Sequence, residues 1–101
     1  MKSDKVLSYL GLAMRGRNLV SGEFQTEEAV KNGMARIVIV ASDASENTKK
    51  LFRNKCSYYE VPVYCYGTKQ TLGRAIGKDQ RSSLAVTDAG LAQAIEKAMQ
   101  S

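Results

Sequence analysis

The order of patterned segments along this 101-residue chain predicts an α/β protein, a three-layer α/β/α sandwich around a mixed four-stranded sheet. Three observations lead there. Amphipathic stretches with apolar residues three and four apart alternate strictly with short β-rich stretches, giving the order αβαβαβαβα, and such alternation places helices on both faces of one sheet. Ile37-Val38-Ile39-Val40-Ala41 is an apolar run without polar alternation, as expected of a strand covered on both faces. The length and a 44% hydrophobic share suit a single core, and so a single domain over residues 1–101.

The first helix is expected over residues 3–15, where Val6, Leu7, Leu10, Ala13 and Met14 form one apolar face and Gly16 ends the repeat. Asn18-Leu19-Val20 is a short strand, and Ser21-Gly22 turns the chain into a second helix over residues 23–32, stopped by Gly33. After the central strand, Asp43-Ala44-Ser45-Glu46 resembles a capping box with Asp43 as the cap, opening a third helix to Tyr59. Pro62 starts a strand through Tyr66, where its missing N–H does least harm. Thr68 opens a short helix through Ile76, residues 77–82 form a polar loop, and Leu84-Ala85-Val86 is the last strand. Asp88 caps a final helix carrying Leu91, Ala92, Ile95, Ala98 and Met99.

Composition narrows the chemistry. Fifteen Lys and Arg against ten Asp and Glu give a net charge of +5, which suits a polyanionic partner. There is no histidine, which removes the commonest general base, the Ser-His and Cys-His nucleophile pairs and the commonest zinc ligand. Two cysteines are too few for a structural zinc site. No metal and no cofactor is expected. Cys56, on the apolar side of a helix, and Cys65, in a strand, read as buried, reduced thiols. No run reaches the ~18 to 20 apolar residues of a membrane helix, and the amino-terminal residues 1–6 lack the apolar core of a signal peptide. A cytoplasmic protein is expected.

Apparent catalytic motifs fail on inspection. Gly73-Arg74-Ala75-Ile76-Gly77-Lys78-Asp79 has three residues between its glycines where a phosphate-binding loop needs four, and Asp79 stands where that loop carries Ser or Thr. The carboxylate pairs Asp43 with Glu46 and Glu27 with Glu28 are accounted for as caps and first-turn charges facing a helix dipole. Gly22, between a strand and a helix, permits either a plain tight turn or a close approach by a ligand to the N–H groups that follow. Lys78, Arg81, Ser82 and Ser83 bring two cations and two hydroxyls to the other polar loop. Lys49, Lys50, Arg53 and Lys55 make the third helix the most basic segment, compatible with a solvated face or with polyanion contact.

Five blocks in register resemble the 7Ae family of large-subunit ribosomal proteins, which bind kink-turn RNA. They are Gly22-x-x-Gln25 leading to Val30-Lys31-Asn32-Gly33, the run from Ala35 to Asp43, Val61-Pro62-Val63-Tyr64, Lys69-Gln70-x-Leu72-Gly73-x-Ala75-x-Gly77, and Ser82-Ser83-Leu84-Ala85-Val86. Leu10-Gly11-Leu12-Ala13-x-Arg15, Leu19-Val20-Ser21-Gly22-Glu23 and the stretch from Ala41 to Lys50 are similar to the small bacterial YlxQ-like branch. In the family, a Gly-x-Asn-Glu-x-x-Lys stretch reads the tandem sheared G·A pairs of a kink-turn. Here that stretch is Gly22-Glu23-Phe24-Gln25-Thr26-Glu27-Glu28. The glycine is kept, Phe24 takes the Asn position, Gln25 the Glu position and Glu28 the Lys position. Gln25 still donates to and accepts from a base edge, whereas Glu28 inverts a charge near phosphate. Phe24 is open to two readings, stacking on an unpaired base or packing into the core.

The resemblance implies a non-catalytic RNA-binding protein, monomeric, acting on ribosomal RNA or another structured RNA. Its contacts would be Gly22, Glu23, Phe24, Gln25 and Glu28 at the start of the second helix and Lys78, Arg81, Ser82 and Ser83 in the facing loop, with Lys31 and Arg36 flanking. The alternative is a protein-interaction module on the same fold, with Phe24 and the acidic turn as anchors.

Overall fold

The computed structural model describes residues 4–100; the expected start of the first helix at Ser3 and half of the segment weighed as a signal peptide lie outside them. Nine elements follow in the expected alternation: α1 (Lys5–Arg15), β1 (Leu19–Ser21), α2 (Glu23–Lys31), β2 (Ile37–Val40), α3 (Glu46–Tyr59), β3 (Val63–Cys65), α4 (Lys69–Ala75), β4 (Ser83–Val86) and α5 (Ala89–Gln100). The strands lie in the order β1-β4-β2-β3. β4 is antiparallel to both β1 and β2, and β2 is parallel to β3, so the sheet is mixed as expected. α2 and α3 cover one face, while α1, α4 and α5 pack together on the other. Every residue of β2 and β4 is buried, which is why neither strand shows polar alternation.

The core runs through both layers. Phe52 and Cys56 come from α3, Leu10 and Ala13 from α1, Leu72 from α4 and Ile95 from α5, all at most 1% exposed and closed around Ile37, Ile39, Leu84 and Val86. Asp4 does two jobs at the start of α1. One carboxylate oxygen accepts the Leu7 N–H at 3.1 Å, capping the helix, and the other accepts the Tyr66 hydroxyl at 2.6 Å, tying α1 to the end of β3. That hydrogen bond to a carboxylate pushes the Tyr66 hydroxyl up to about 12.

Four local expectations are corrected. Asp43 does not cap α3; Ser45 does, accepting the Thr48 N–H at 3.1 Å. Asp43 reaches instead across to α4, where its carboxylate accepts the Lys69 N–H at 2.8 Å. β1 is shifted by one residue, so Ser21 belongs to the strand and pairs with Leu84. Ser83 is not a loop residue but the first residue of β4, opposite Val40, and it is fully buried. Cys65 is exposed; it is the last residue of β3, the strand at one edge of the sheet.

Burial pushes the Cys56 thiol up to about 11, which keeps it protonated and unreactive at neutral pH. In a titration of the native protein with an aromatic disulfide reagent at pH 8, one thiol per chain, Cys65, reacts within minutes, and Cys56 follows only in denaturant. Two fast thiols would show that α3 does not shield Cys56.

Candidate functional site

Three helices begin at one end of the sheet. α2, α3 and α4 each follow a chain segment that leaves the sheet there, and short contacts lock their starts together. The Gly22 N–H donates to the Ser83 carbonyl at 3.0 Å, the Ala41 N–H to the Ser82 carbonyl at 2.8 Å, the Ser42 N–H to the Gly67 carbonyl at 2.9 Å and the Arg81 N–H to the Lys69 carbonyl at 3.0 Å. The Thr48 hydroxyl in the first turn of α3 reaches the Glu23 carboxylate at 3.4 Å. Three N-termini therefore turn the positive ends of their dipoles to one surface, with side chains capping the starts of α3 and α4.

At α2 that end is bare. Gly22 has φ 92°, with nothing within 4 Å of where a Cβ would sit, and no side chain caps the helix. The first internal bond runs from the Thr26 N–H to the Gly22 carbonyl at 2.9 Å, so the N–H groups of Glu23, Phe24 and Gln25 face outward. Phe24 is 72% exposed, which removes its core-packing reading. Glu23, Gln25 and Glu28 are exposed as well, and Glu28 lies 3.7 Å from Lys31. Thr26, by contrast, is fully buried and anchors the turn from below.

The facing loop is held as firmly. A Cβ on Gly73 would collide with the Asp79 carbonyl, so the loop lies directly on α4, pinned further by the Lys78 N–H to the Gly73 carbonyl at 2.9 Å. Arg81 spans the two halves of the site. Its Nε donates to the Ser21 hydroxyl at 3.1 Å and its Nη1 to the Gln80 carbonyl at 3.0 Å, leaving further guanidinium N–H groups free. Ser82 is half-buried, and Ser83 contributes its carbonyl rather than its buried hydroxyl.

Lys31 and Arg36 are not flanking. β4 runs away from the site between its neighbours, with Ser83 opposite Val40 at one end and Val86 opposite Ile37 at the other. The Arg36 N–H donates to the Val86 carbonyl at 2.8 Å, which puts Arg36 at the far end of the sheet, and Lys31 closes α2 nine residues from its start, about 13 Å away along the axis. Lys31 is also occupied by Glu27 and Glu28 at 3.8 and 3.7 Å. In their place the structure brings in Lys69 and Arg74 of α4, which sequence reasoning missed. Arg74 and Lys78 line a depression of about 520 Å³ together with Gln70, Gly77, Asp79 and Gln80. Lys69, Arg74, Lys78 and Arg81 have no ion-pair partner among the described residues. The start of α4 at Thr68 was legible, and its capping box forms with both reciprocal bonds; that Lys69 lies beside Arg81 follows only from the tertiary contact between them.

Comparison with known proteins gives a consistent placement. The model of the ribosomal protein L7Ae/L30e/S12e/Gadd45 family matches residues 4–96. The RNA-binding protein YlxQ of Bacillus subtilis is 46% identical over 83 residues, 82% of this chain and 83% of that protein. Its counterpart in Enterococcus faecium is 42% identical over 90 residues, covering 89% and 86%. Among solved structures, a Bacillus halodurans protein of unknown function superposes with a TM-score of 0.94 at 44% identity, over 98% of this chain and all of that one. A Giardia lamblia 15.5kD RNA binding protein shares the fold, with a TM-score of 0.79 at 20% identity over 99% and 92% of the two chains.

The contact at Gly73 yields a direct check on the site's rigidity. Gly73→Ala forces the 77–82 loop off α4 and is expected to cost about 1 to 3 kcal/mol through overpacking. Thermal unfolding should show a lowered midpoint, and amide exchange should speed up selectively at Lys78 and Arg81; an unchanged melting curve would mean that the loop moves without cost.

Proposed function

The chain belongs to the ribosomal protein L7Ae/L30e/S12e/Gadd45 family, and on that footing we propose that it is a non-catalytic RNA-binding protein that holds a sharply bent, kink-turn-like segment of ribosomal or other structured RNA. One observation carries this reading: the Arg81 guanidinium on the Ser21 hydroxyl and the Gly22 N–H on the Ser83 carbonyl put the bare start of α2 beside the cationic loop. The two halves together form a platform of outward N–H groups bordered by Lys69, Lys78 and Arg81.

Each part has a distinct role. The uncapped N–H groups of Glu23 to Gln25 and the Gln25 amide meet base edges exposed where a duplex is distorted. The open space above Gly22 lets the RNA approach the backbone closely. Phe24, in solvent, offers a flat face to a base turned out of the stack. Lys69, Lys78 and Arg81 neutralise phosphates on either side of the bend, with the dipoles of α2 and α3 adding to the same potential. Proton transfer plays no part, and the protein acts as a monomer. The YlxQ proteins named as RNA-binding match over most of their length, which supports the RNA class.

Glu28 works against this docking. It stands one turn and a half beyond Gly22 on an exposed part of the helix, only partly offset by Lys31, so its carboxylate repels a strand that passes along α2.

Two measurements follow. Titration of the protein into a kink-turn RNA and into a straight hairpin of equal length should show preference for the bend. With three phosphates neutralised, affinity should fall about 40-fold between 50 and 200 mM salt; no binding to either RNA at 50 mM salt overturns the proposal and leaves Phe24 to a protein partner. Glu28→Lys should tighten kink-turn binding by about three- to tenfold, since a like charge becomes an opposite one, and unchanged or weaker binding would place the docking surface elsewhere.

A further inference from the structure

The proposed platform leaves unused the cations of α3, the most basic element of the fold, and the aromatic pair at its end. Tyr58 is 80% and Tyr59 40% exposed, and their rings meet edge to face with centroids 4.8 Å apart at 76°. Together with Leu51, Asn54 and Lys55 they line an open groove of about 540 Å³, ample for a nucleobase. We propose that this groove is a second docking site, for a single-stranded RNA segment flanking the structured RNA, an inference that rests on the RNA-binding reading above.

Charge and chemistry select that occupant. α3 carries Lys49, Lys50, Arg53 and Lys55 against Glu46 alone. Lys50 and Arg53 are exposed and without an ion-pair partner among the described residues, while Lys55 sits 3.9 Å from Glu27 at the edge of the groove. A row of cations beside a solvent-facing ring is the arrangement that grips a backbone and stacks its bases. Lys50, Asn54 and Tyr58, four residues apart, lie on one helical face, so a strand following α3 meets a cation, then an amide able to donate and accept at a base edge, then an aromatic face. The edge-to-face contact with the Tyr59 ring restrains Tyr58, which lowers the ordering cost of stacking.

Geometry joins the two sites. α3 starts against α2, where Thr48 meets Glu23 at 3.4 Å, and the axis from Ser45 to Tyr58 is about 20 Å. A strand stacked at about 3.4 Å per step covers that distance in roughly six nucleotides. An RNA leaving the Gly22 platform along α3 therefore arrives at Tyr58 within one short single-stranded run.

The test uses the full chain, fluorescence anisotropy and four probes: a blunt-ended kink-turn RNA, the same RNA with an unstructured ten-nucleotide extension at its 5′ end or at its 3′ end, and the ten-nucleotide strand alone. One extension should tighten binding about tenfold, the effect of one stacked base. Tyr58→Ala should abolish that increment, Tyr58→Phe should keep it, and the double change Lys50→Gln with Arg53→Gln should reduce it, all with blunt-ended affinity unchanged. These side chains are exposed, and circular dichroism confirms that the variants fold. The groove proposal is overturned if neither extension tightens binding, or if the increment survives Tyr58→Ala, which would assign the groove to a protein partner. If the blunt-ended RNA does not bind while the free strand binds in a Tyr58-dependent manner, the kink-turn reading fails and the groove stands.

Discussion

β4 is the strand on which the rest of the molecule depends. It lies between β1 and β2, antiparallel to both, so its backbone groups are committed on both sides and its register is set twice. A slip of one residue would turn Leu84 and Val86, both fully buried, to the opposite face along with every other side chain of the strand. The same double pairing carries its start, Ser82 and Ser83, between the end of β1 and the end of β2, where their carbonyls take the N–H groups of Ala41 and Gly22. The candidate site is thus an extension of the sheet ladder, and its two halves are held by backbone bonds, with the Arg81 side chain on the Ser21 hydroxyl as a further tie.

Rigid support matters because what the surface offers is mostly backbone. Uncapped N–H groups bind well only if their directions do not have to be ordered on binding, and the start of α2 meets that condition through buried Thr26 below and Ser83 beside it. The close approach of Asp79 to Gly73 fixes the opposite wall in the same way. The cations can then be few. Lys69, Lys78 and Arg81 stand next to helix starts whose dipoles already favour negative charge. Glu28 and Glu27 pair with Lys31, which closes α2 away from the platform.

α3 extends this surface along a second direction. Its N-terminus shares the platform, and its C-terminus carries the exposed tyrosines, so one helix connects the site proposed for a bent duplex with the groove proposed for an unpaired strand. Phe52 and Cys56 bury the opposite side of the same helix. Its apolar residues thus serve the core, and its cations and rings are left for the outside, as expected of an amphipathic element that both supports and binds.

The fold was legible in the sequence to the extent that it depends on periodicity. The unbroken run Ile37 to Val40 announced a strand covered on both faces, and the alternation of elements announced the layers, because both follow from which residues must leave water. Gly22 and Arg81 were identified as neighbours only through the family resemblance, and the bond between Arg81 and Ser21 bears that neighbourhood out. Contacts between distant segments were not legible. Asp43 has the local signature of a cap for α3, yet it takes the first N–H of α4, that of Lys69, twenty-six residues away, because the fold brings that helix start against it. Ser83 looks like loop and is core, and Arg36 and Lys31 look like neighbours of the site and stand at the other end of the sheet. By itself the sequence determined the elements, their layers and the absence of histidine chemistry, which are consequences of local pattern and composition. Only the tertiary structure decided which cations share a surface, because strand order and the direction of β4 set those distances, and neither is a property of any local stretch of chain.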